Sequence, residues 1–345
     1  MTLDCPVPMP EGDRVLLAHG EGLRLTRGLI RDLLLPAFDN RFLRPLADAA
    51  VLPPIDGEPV MTTDTYVVTP LFFPGGDIGS LAVHGTVNDL TACGAVPLYL
   101  SVALILEEGL PLPTLRRVVE SVAVAAAGCG VCVVTGDTKV VPRGAVDQLF
   151  VSVTGLGRRR GRVRLGSERV RPGDRVVVTG TLGDHGVAVL SAREQLDFAG
   201  ALRNDSAALH ALVGGLWDTG IDVHFLRDPT RGGVAAVLHE LTEAAAVSVE
   251  IESAAVPLSD GVRGASELLG LDPLFIANEG KMVVVIAPGD EVPTLECLRR
   301  HPLGRDAAVI GTVTAGRPPE VRVRSALGAL RALDDPRGAP LPRIC

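Results

Sequence analysis

The chain has 345 residues, of which 47% are hydrophobic, and a formal net charge of −8 at pH 7. This length favours about two domains, and the negative charge gives no support for binding nucleic acid through its phosphates. The sequence contains no run of about 18 uncharged apolar residues, and its first residues lack the basic and apolar segments of a secretory signal. We therefore expect a cytoplasmic protein with no nucleic-acid and no membrane partner.

The predicted elements begin with a leader, residues 1–40. It contains the turn Ala18-His19-Gly20-Glu21-Gly22, followed by a helical pattern of Leu25, Leu29 and Leu33. Glycines before a helix can present backbone N–H groups to an anion, and a plain turn is the alternative that the sequence leaves open.

Residues 41–160 are predicted to form a first domain in which strands and helices alternate. Strict alternation of apolar residues from Leu98 to Leu106 predicts a strand with one buried face. Thr114 is the predicted N-cap of an amphipathic helix that stops at Gly128. Further strands are expected at 49–52, 60–69, 131–135 and 149–154, and a further helix at 76–93.

Residues 161–326 are predicted to form a second domain of the same kind. Helical patterns fall at 184–193, 206–218, 232–246 and 260–269, and strand patterns at 175–179, 222–226, 247–251, 282–287, 308–313 and 320–324. The alternation in both halves predicts an α/β or α+β fold with two layered domains.

Residues 327–345 are predicted to be a mobile tail that ends in Leu341-Pro342-Arg343-Ile344-Cys345. Three prolines between Asp334 and Pro342 oppose a helix or a central strand, so we expect a semi-extended arm. Such an arm could carry the terminal thiol into a cleft elsewhere, whereas a frayed chain end is the alternative.

Six cysteines in a chain of this length do not make a disulfide framework. Cys129 and Cys132 form a single C-x-x-C motif without a second pair. We expect buried thiols at a junction between helix and strand, with a zinc or redox role as the less favoured alternative.

Four aspartates of the first domain stand next to apolar segments: Asp48, Asp64, Asp89 and Asp137. Asp89 follows Asn88 and shares a helical stripe with Ile78 and Ala82. A buried carboxylate requires a cation or a proton. Each aspartate alone could be a cap or a turn residue, but four together favour a divalent cation such as Mg²⁺, which pairs carboxylates with substrate phosphates. Lys139 could add a positive charge to this cluster.

The second domain contains a loop suited to an anion, between a strand and a helix. Its sequence is Arg227-Asp228-Pro229-Thr230-Arg231-Gly232-Gly233. Free N–H groups, a hydroxyl and two guanidinium groups favour a phosphate there. Gly180 to Gly186 has a similar setting, and neither loop is a Walker A or a dinucleotide-binding motif. With the aspartates, these loops predict a metal–triphosphate site.

These motifs together resemble the HypE family of hydrogenase maturation factors. The resemblance covers nearly all of the chain beyond about residue 40, and it depends on Thr63-Asp64-Thr65, Phe73 to Gly79, Gly85 to Leu90, Gly136 to Val141, Arg227 to Gly233, Leu271 to Leu274, Ala277 to Lys281 and Pro342-Arg343-Ile344-Cys345. The family is related to aminoimidazole ribonucleotide (AIR) synthetase, selenophosphate synthetase and thiamine-monophosphate kinase.

The resemblance implies a two-domain PurM-like fold, with the N-terminal sheet pairing in a homodimer and a C-terminal α/β domain. It implies that ATP binds the N-terminal domain near the dimer interface, with Mg²⁺ held by Asp48, Asp64, Asp89 and Asp137. The nucleotide contacts that we expect also include Asn88, Thr138, Asp228, Thr230, Arg231, Gly232 and Gly233.

The resemblance further implies a reaction at Cys345. In the family, the carbamoyltransferase HypF places a carbamoyl group on the terminal cysteine. HypE then dehydrates it with ATP to a thiocyanate, and the cyanide passes to iron on the HypC–HypD complex for [NiFe]-hydrogenase.

Removing the N–H proton of the thiocarbamate requires a general base. We expect Glu279 to be that base and Lys139 to orient the carbamoyl group. A Glu279 that merely pairs with Lys281 is the alternative.

The sequence departs from the family pattern at two places, Glu21 and Leu23 in the leader and residues 327–331, which lack an expected glycine pair.

Two other functions stay open. One is a related kinase or synthetase that acts on a free small molecule, which would not need Cys345. The other is a metal-handling scaffold that uses Cys129, Cys132 and Cys345.

Overall fold

The computed structural model describes residues 12–161, 163–196 and 202–335, and it begins with a helical leader. A 3-10 helix, Leu17–Gly20, precedes α1 (Arg24–Leu29), a π-helical segment (Ile30–Leu34) and α2 (Leu35–Phe38). Leu29 and Leu33 are buried, which confirms the predicted helical stripe. The strand predicted at 49–52 is wrong, since residues 39–58 form neither helix nor strand. Pro53 and Pro54 follow this short apolar run, and prolines cannot donate to a strand ladder.

The N-terminal domain consists of one four-stranded sheet covered on one face by helices. Its elements are β1 (Pro59–Tyr66), the small hairpin of β2 (Phe72–Phe73) and β3 (Gly76–Asp77), α3 (Ile78–Ala92), β4 (Ala95–Glu107), α4 (Leu112–Gly128), β5 (Cys132–Val141) and β6 (Leu149–Arg159). The strand order is β1-β6-β4-β5, so β1 and β5 are the two edges. Leu100, Val102, Leu104 and Leu106 are buried under α3 and α4, as the alternation predicts.

The opposite face of this sheet, which we call the open face, combines small or polar residues with apolar residues such as Ile105 and Phe150. Thr65, Ser152, Ala103 and Asp137 form one row across all four strands. These four side chains are at least partly exposed, since no helix of the described chain covers them.

Two boundaries of the N-terminal domain differ from the sequence prediction. Helix α4 begins at Leu112 with Pro111 in the N-cap position, so Thr114 is not the cap. Pro113 fits inside the first turn because the N–H it lacks would have no intrahelical partner there. Strand β5 continues to Val141, so Asp137 lies within the strand rather than at its end.

The C-terminal domain contains a seven-stranded sheet with helices on both faces. Its elements are β7 (Arg175–Val178), α5 (Asp184–Arg193), α6 (His210–Asp218), β8 (Val223–Arg227), α7 (Gly233–Ala245), β9 (Ser248–Glu252), α8 (Asp260–Leu269), β10 (Val283–Ile286), α9 (Glu291–Arg299), β11 (Ala308–Thr314), β12 (Val321–Arg324) and β13 (Leu330–Ala332). The order is β13-β12-β9-β11-β7-β10-β8.

The two faces of this second sheet have separate cores. Val234, Leu238 and Leu241 of α7 pack on one face, whereas α6 and α9 pack on the other through residues such as Leu216 and Leu298. All four residues of β10 are buried, which explains its unbroken apolar sequence. The sheet extends into the predicted tail, because β13 pairs with β12. Residues 336–345, including Cys345, lie outside the described part.

The two domains contact each other along α3 and the hairpin. Val189 and Leu190 of α5 belong to the N-terminal core cluster, and Arg193 Nε donates to the Thr69 carbonyl at 2.9 Å. Residues 202–209, which we call the strap, also cross between the domains. Asn204 N donates to the Pro74 carbonyl at 2.8 Å, and Ser206 Oγ lies 3.0 Å from His84 Nδ1. None of the helices in the described ranges has the length and apolarity needed to cross a bilayer.

Candidate active site

The first part of the site is the contact between β1 and α3. Thr62 and Asp64 share the face of β1 that lies against α3, whereas Thr63 and Thr65 point to the open face, where they meet Thr154 and Ser152. Thr62 Oγ1 donates to Asp89 Oδ2 at 2.8 Å. The sequence prediction that Asp64 and Asp89 approach each other is consistent with this geometry, since alternate residues of a strand share a face.

Asp89 lies in an environment that disfavours its negative charge. Burial raises its pKa, and the charge of Asp64 adds to the effect, while the Thr62 hydrogen bond and the positive charge of Arg227 oppose it. The influence of Asp64 and Arg227 places residues from both domains within electrostatic range of this carboxyl group.

The C-terminal domain contributes Asp228, in the loop between β8 and α7. Gly232 (φ 75°) and Gly233 (φ 61°) allow the turn into α7, and a side chain at Gly233 would collide with the backbone of residues 274–276. Burial, joined by the charge of Asp89, raises the pKa of Asp228 to about 7. This carboxyl group therefore faces the acids of the N-terminal domain across the interface.

The segment Ala277-Asn278-Glu279-Gly280-Lys281 brings a second acid to the same place. Asn278 is fully buried, and its Nδ2 donates to the Pro229 carbonyl at 3.2 Å and to the Ile276 carbonyl at 2.9 Å. Its Oδ1 accepts from Gly183 N at 2.7 Å. Asn278 thus fixes this segment to the Asp228 loop.

Glu279 follows directly and is only 6% exposed. Within the described residues its carboxylate has no hydrogen bond and no ion pair. Burial raises its pKa well above the ordinary value, and the charges of Asp228, Asp205, Asp64 and Asp89 raise it further. A buried carboxyl group without a partner is suited to exchanging a proton with a bound molecule.

Lys281 does not pair with Glu279, so that alternative reading of the sequence is wrong. Lys281 Nζ lies 3.0 Å from Asp205 Oδ2, and both side chains are nearly buried. The other oxygen, Asp205 Oδ1, accepts from Glu279 N at 3.1 Å. Gly280 is needed here because a Cβ would collide with the Asp205 carbonyl. Asp205 of the strap therefore holds the backbone of Glu279 and satisfies Lys281.

Asn88 joins the two domains. Its Nδ2 donates to the Ala207 carbonyl at 3.0 Å and to the Glu279 carbonyl at 3.2 Å, and its Oδ1 accepts from Leu209 N at 2.8 Å. These bonds employ both amide donors on protein backbone. Its expected contact with a nucleotide stays a prediction.

The structure places Asp48, Asp137 and Thr138 elsewhere, around a cavity of about 620 Å³. The cavity lies between the leader helices and strands β4 and β5, and Asp137 and Thr138 line it directly. Asp48 is exposed beside the lining residues Ala47 and Ala49. Most of the other lining is apolar, including Leu34, Leu46, Val102 and Leu104, so the cavity can take a flat apolar group with a polar end.

The sequence analysis assigned the four aspartates to one metal site. Within one chain of the structure they lie in two separate places, with Asp64 and Asp89 in one and Asp48 and Asp137 in the other. Asp64 lies on edge strand β1 and faces α3, whereas Asp137 lies on the opposite edge strand β5 in the open-face row. Lys139 of β5 is exposed and pairs with Ile105, which also belongs to the open face. Lys139 and Glu279 are therefore on opposite sides of the sheet within one chain.

The remaining predicted residues accompany Asp228. The Thr230 carbonyl accepts from Gly233 N at 3.0 Å, and Arg231 is exposed. Arg227, directly before Asp228, pairs with Glu240 at 2.8 Å. An anion-binding role for Thr230, Arg231, Gly232 and Gly233 stays a prediction.

The carboxylates fit Mg²⁺ in their chemistry. No group of three or more His, Cys, Asp or Glu side chains within residues 12–161, 163–196 and 202–335 is close enough to hold a metal by itself. Mg²⁺ is commonly held by one or two carboxylates, with phosphates and waters completing its shell. Asp64 and Asp89 supply such a pair, and a cation would stabilise the charged form of Asp89, which burial and the charge of Asp64 disfavour.

The two cysteines of the C-x-x-C motif occupy a helix-to-strand junction, as expected. Cys129 is the C-cap of α4 and Cys132 begins β5. Burial raises the pKa of Cys129 to about 11, which opposes the thiolate form that zinc binding and redox chemistry require.

Sequence reasoning missed Tyr66, Thr62 and Asp205. Tyr66 was detectable, because it follows Asp64 by two residues on the same strand face. Asp205 gave no local signal, since it reaches Glu279 from a strap that is distant in sequence.

The arrangement of two α+β domains around a carboxylate-lined interface is that of an AIR synthase-related protein. The N-terminal domain of that family matches residues 46–159 and its C-terminal domain matches residues 171–324. Among curated proteins, the carbamoyl dehydratase HypE of Cupriavidus necator is 48% identical over 333 residues, which cover 96% of this chain and 95% of that protein. The HypE of Escherichia coli is 46% identical over 338 residues, which cover 96% of this chain and 100% of that protein. The chain belongs to the HypE family.

Solved structures agree with this assignment. A HypE in complex with ATP superposes with a TM-score of 0.91 at 46% identity, covering 96% of this chain and 99% of that one. The structure of a HypE–HypF complex superposes with a TM-score of 0.79 at 44% identity, covering 89% of this chain and 99% of that one. A thiamine monophosphate kinase from Aquifex aeolicus shares the fold, with a TM-score of 0.60 at 24% identity. The match covers 87% of this chain and 98% of that one.

Proposed function

We propose that this protein is a cytoplasmic carbamoyl dehydratase that modifies its own terminal residue. It uses ATP and Mg²⁺ to convert S-carbamoyl-Cys345 into a thiocyanate, which supplies a cyanide ligand for the iron of [NiFe]-hydrogenase. Membership of the HypE family, curated relatives named carbamoyl dehydratase and a related structure with ATP support the proposal.

The observation that carries the proposal is the buried carboxylate of Glu279 without a partner. A thiocarbamate, R–S–C(=O)–NH₂, loses both N–H protons on the way to R–S–C≡N. A general base must therefore lie within hydrogen-bond reach of that nitrogen. Burial raises the pKa of Glu279, and its carboxylate has no competing partner, so the ionised carboxylate binds an N–H proton strongly.

The oxygen of the thiocarbamate is a poor leaving group and must be activated. Its attack on the γ-phosphorus of ATP releases ADP and one N–H proton, and forms a C–O–P linkage. Cleavage of the C–O bond with loss of the second N–H proton then yields the thiocyanate and phosphate. The sum is thiocarbamate plus ATP giving thiocyanate, ADP and phosphate, so the water removed ends in the phosphate.

Phosphoryl transfer depends mainly on positioning and on neutralising charge. Asp64 and Asp89 would hold Mg²⁺, which offsets the negative charge of the phosphates when bound. The cavity beside Asp48, Asp137 and Thr138 suits the nucleoside, because sites for such ligands are mostly apolar with a few polar groups.

A homodimer would unite these parts. The open face exposes Asp137 and Lys139, and a role for both Lys139 and Glu279 at one thiocarbamate requires Lys139 of a second copy. We also propose HypF as the carbamoyl donor and the HypC–HypD complex as the acceptor of cyanide. A related HypE forms a complex with HypF.

The intact mass of the protein tests the reaction. After incubation with HypF, carbamoyl phosphate and ATP, we expect a carbamoyl adduct on the C-terminal peptide. That adduct should then lose one water when the protein hydrolyses its own ATP. A C-terminal peptide that stays unmodified would contradict the proposal.

A truncated variant without Cys345 separates this function from that of a kinase or synthetase for a free small molecule. The truncated protein should bind ATP normally and show none of the ATP hydrolysis that accompanies dehydration. Full turnover of a free substrate without the tail would favour the other enzyme.

A further inference from the structure

The Glu279 segment contains a buried base and, two residues further on, a nearly buried cation. Glu279 is 6% exposed, and its carboxylate has no partner within the described residues. Lys281 is the cationic residue nearest to it in sequence, and its side chain is 11% exposed. Lysine carries its charge on a flexible four-carbon stem, and a buried charge requires a partner. A pair between Lys281 and Glu279 would neutralise the proposed base.

One carboxylate of the strap prevents this pairing. Asp205 Oδ2 lies 3.0 Å from Lys281 Nζ, and the Asp205 side chain is 5% exposed. Asp205 Oδ1 accepts from Glu279 N at 3.1 Å. The same side chain therefore holds the backbone of the base and the cation that would neutralise it. The Asp205 carbonyl also lies against Gly280, where a Cβ would collide with it, so the strap packs directly on this segment.

The neighbours of Asp205 in the strap attach it to the N-terminal domain. Asn204 N donates to the Pro74 carbonyl at 2.8 Å, and Ser206 Oγ lies 3.0 Å from His84 Nδ1. These contacts stand on either side of Asp205 in sequence. They fix the position from which its carboxylate reaches the C-terminal domain.

Pairing with Lys281 would weaken Glu279 as a base. An opposite charge within about 4–6 Å favours the charged form of a carboxylate, so Glu279 beside an ammonium group would bind a proton less tightly. It would also have to leave that ion pair to reach the thiocarbamate nitrogen. The charge of Asp205 acts in the opposite direction, because burial, Asp228 and Asp205 all raise the pKa of Glu279.

We propose that Asp205 is a positioning residue for dehydration, which keeps Lys281 occupied so that the Glu279 carboxylate stays free to take the N–H proton. This inference rests on the proposed function. Asp205 acts only through its hydrogen bond to Glu279 N and its ion pair with Lys281. Removing the charge of Asp205 should therefore impair dehydration through Lys281, and removing the charge of Lys281 as well should restore it.

Asp205→Asn tests the first step, because the amide oxygen can still accept from Glu279 N while the charge that holds Lys281 is gone. The double variant Asp205→Asn/Lys281→Met then removes the released cation. With HypF, carbamoyl phosphate and ATP in excess, the carbamoyl adduct forms first. Its conversion to the thiocyanate is followed by intact mass, below the melting temperature of every variant.

Asp174→Asn is the matched control. Asp174 is also a buried acid in a hydrogen-bonded pair, since it is 3% exposed and its Oδ2 lies 2.7 Å from His224 Nδ1. It stands before β7, whereas the far end of that strand, Val178, pairs with Val283 beside the Glu279 segment. This variant should lower the melting temperature and leave dehydration unchanged.

We expect Asp205→Asn to convert its carbamoyl adduct about a hundredfold more slowly at saturating ATP, as when a general base is lost. Its affinity for a non-hydrolysable ATP analogue should equal that of the unaltered protein, so that the loss falls on the rate alone. The double variant should recover to within about tenfold of the unaltered rate, because the two residues act as an interacting pair.

Two rates decide the proposal. An Asp205→Asn rate within about threefold of Asp174→Asn would overturn it. A double variant no faster than Asp205→Asn would overturn it as well, because the strap carboxylate would then act through folding and not through Lys281. If Asp205→Asn does not fold, the double variant still decides, since it leaves neither charge of the pair: a folded double variant that is about a hundredfold slow contradicts the proposal.

A loss of affinity for the ATP analogue that explains the whole change in rate would also overturn the proposal, because the strap would then serve nucleotide binding. If the unaltered protein itself forms no thiocyanate from its carbamoyl adduct, the proposed function fails. That outcome is distinct from failure of the Asp205 proposal alone, in which the unaltered protein dehydrates normally.

Discussion

At the scale of single residues, the site contains buried acids whose charged form the fold disfavours. Asp228 and Glu279 both have raised pKa values, with burial as the main cause. Such groups lower the stability of the empty protein, because the folded state disfavours their charge. In the proposed reaction, a cation and a proton-bearing substrate would give these acids partners.

Asp228→Asn should therefore stabilise the protein in the absence of Mg²⁺ and nucleotide. The folded pKa of Asp228, about 7, lies above the unfolded value near 4. The folded state thus binds the proton more tightly, and the unaltered protein loses stability as the pH rises from about 4 to about 7. The gain in melting temperature from the variant should grow over this range and level off above it.

Asp222→Asn is the control of opposite sign. Asp222 directly precedes β8, whereas Asp228 directly follows it. The hydrogen bond from Arg169 lowers the pKa of Asp222. Removing that carboxylate should reduce the melting temperature at pH 7. An Asp228→Asn variant whose melting temperature equals that of the unaltered protein at every pH would contradict our account of the site.

Glu279→Gln should separate the two stages of the reaction. The amide cannot accept the N–H proton, so dehydration should fall by at least about a hundredfold, the usual contribution of a general base. Carbamoylation of Cys345 by HypF should be unchanged, because the proposed role of Glu279 is confined to dehydration. A carbamoylated protein that accumulates in the presence of ATP, seen by intact mass, is the expected result, and normal conversion to the thiocyanate would exclude Glu279 as the base.

At the scale of elements, local sequence patterns predicted the helices and strands that bury a clear stripe of apolar side chains. The helices at 184–193 and 260–269 have the predicted bounds. Helix α9 was missed because it buries only Thr294 and Leu298. Strand β13 was missed because its three residues are exposed and only backbone pairing with β12 holds them. A strand defined by its partner's backbone leaves no side-chain pattern.

The site was predictable where it depends on one strand or one helix. The strand predicted at 60–69 contains Asp64 and the helix predicted at 76–93 contains Asp89, and the fold brings the two carboxylates into electrostatic range. The separation of Asp137 from Asp64 depends on the order β1-β6-β4-β5, which pairs strands distant in sequence. The bond between Asp205 and the Glu279 segment likewise depends on the packing of two domains.

The strap is the element that holds the Glu279 segment, and its buried ion pair can be tested. Lys281→Met leaves the carboxylate of Asp205 buried without its cation. We expect a loss of about 3–5 kcal/mol in the free energy of unfolding, as is typical when one partner of a buried pair is removed. Equilibrium unfolding in urea measures this loss.

Two further variants complete that experiment. Adding Asp205→Asn to Lys281→Met should recover part of the lost stability, because the uncompensated charge is removed. Arg159→Met breaks the exposed pair with Glu58, at 3.4 Å, and should change stability very little. If Lys281→Met behaved like Arg159→Met, the strap would not depend on this ion pair.

At the scale of the whole molecule, the predicted site residues of one chain lie in two separate places. The acids Asp64, Asp89, Asp228 and Glu279 meet between the domains, whereas Asp137 and Lys139 lie on the uncovered face of the N-terminal sheet. A sheet face without covering helices is normally packed against another layer. A second copy of this chain, placed open face to open face, would supply that layer.

Ala103→Glu should break such a dimer. Ala103 lies on the open face in β4, one of the two inner strands, directly beside Asp137 in the same row. A new carboxylate there would be buried at the interface next to an existing one, which is strongly unfavourable. In a monomer the same side chain would remain in water, so folding should be unaffected. Light scattering after size exclusion should show the mass of one chain for this variant and of two chains for the unaltered protein.

Val124→Glu provides the control, because Val124 is 74% exposed on the outer side of α4 and far from the open face. It should remain a dimer. If Lys139 acts on the thiocarbamate of the second copy, Ala103→Glu should also lose dehydration while keeping its melting temperature. A dimeric Ala103→Glu would show that the open face is not the interface, and a fully active monomer would show that Lys139 of a second copy is not required.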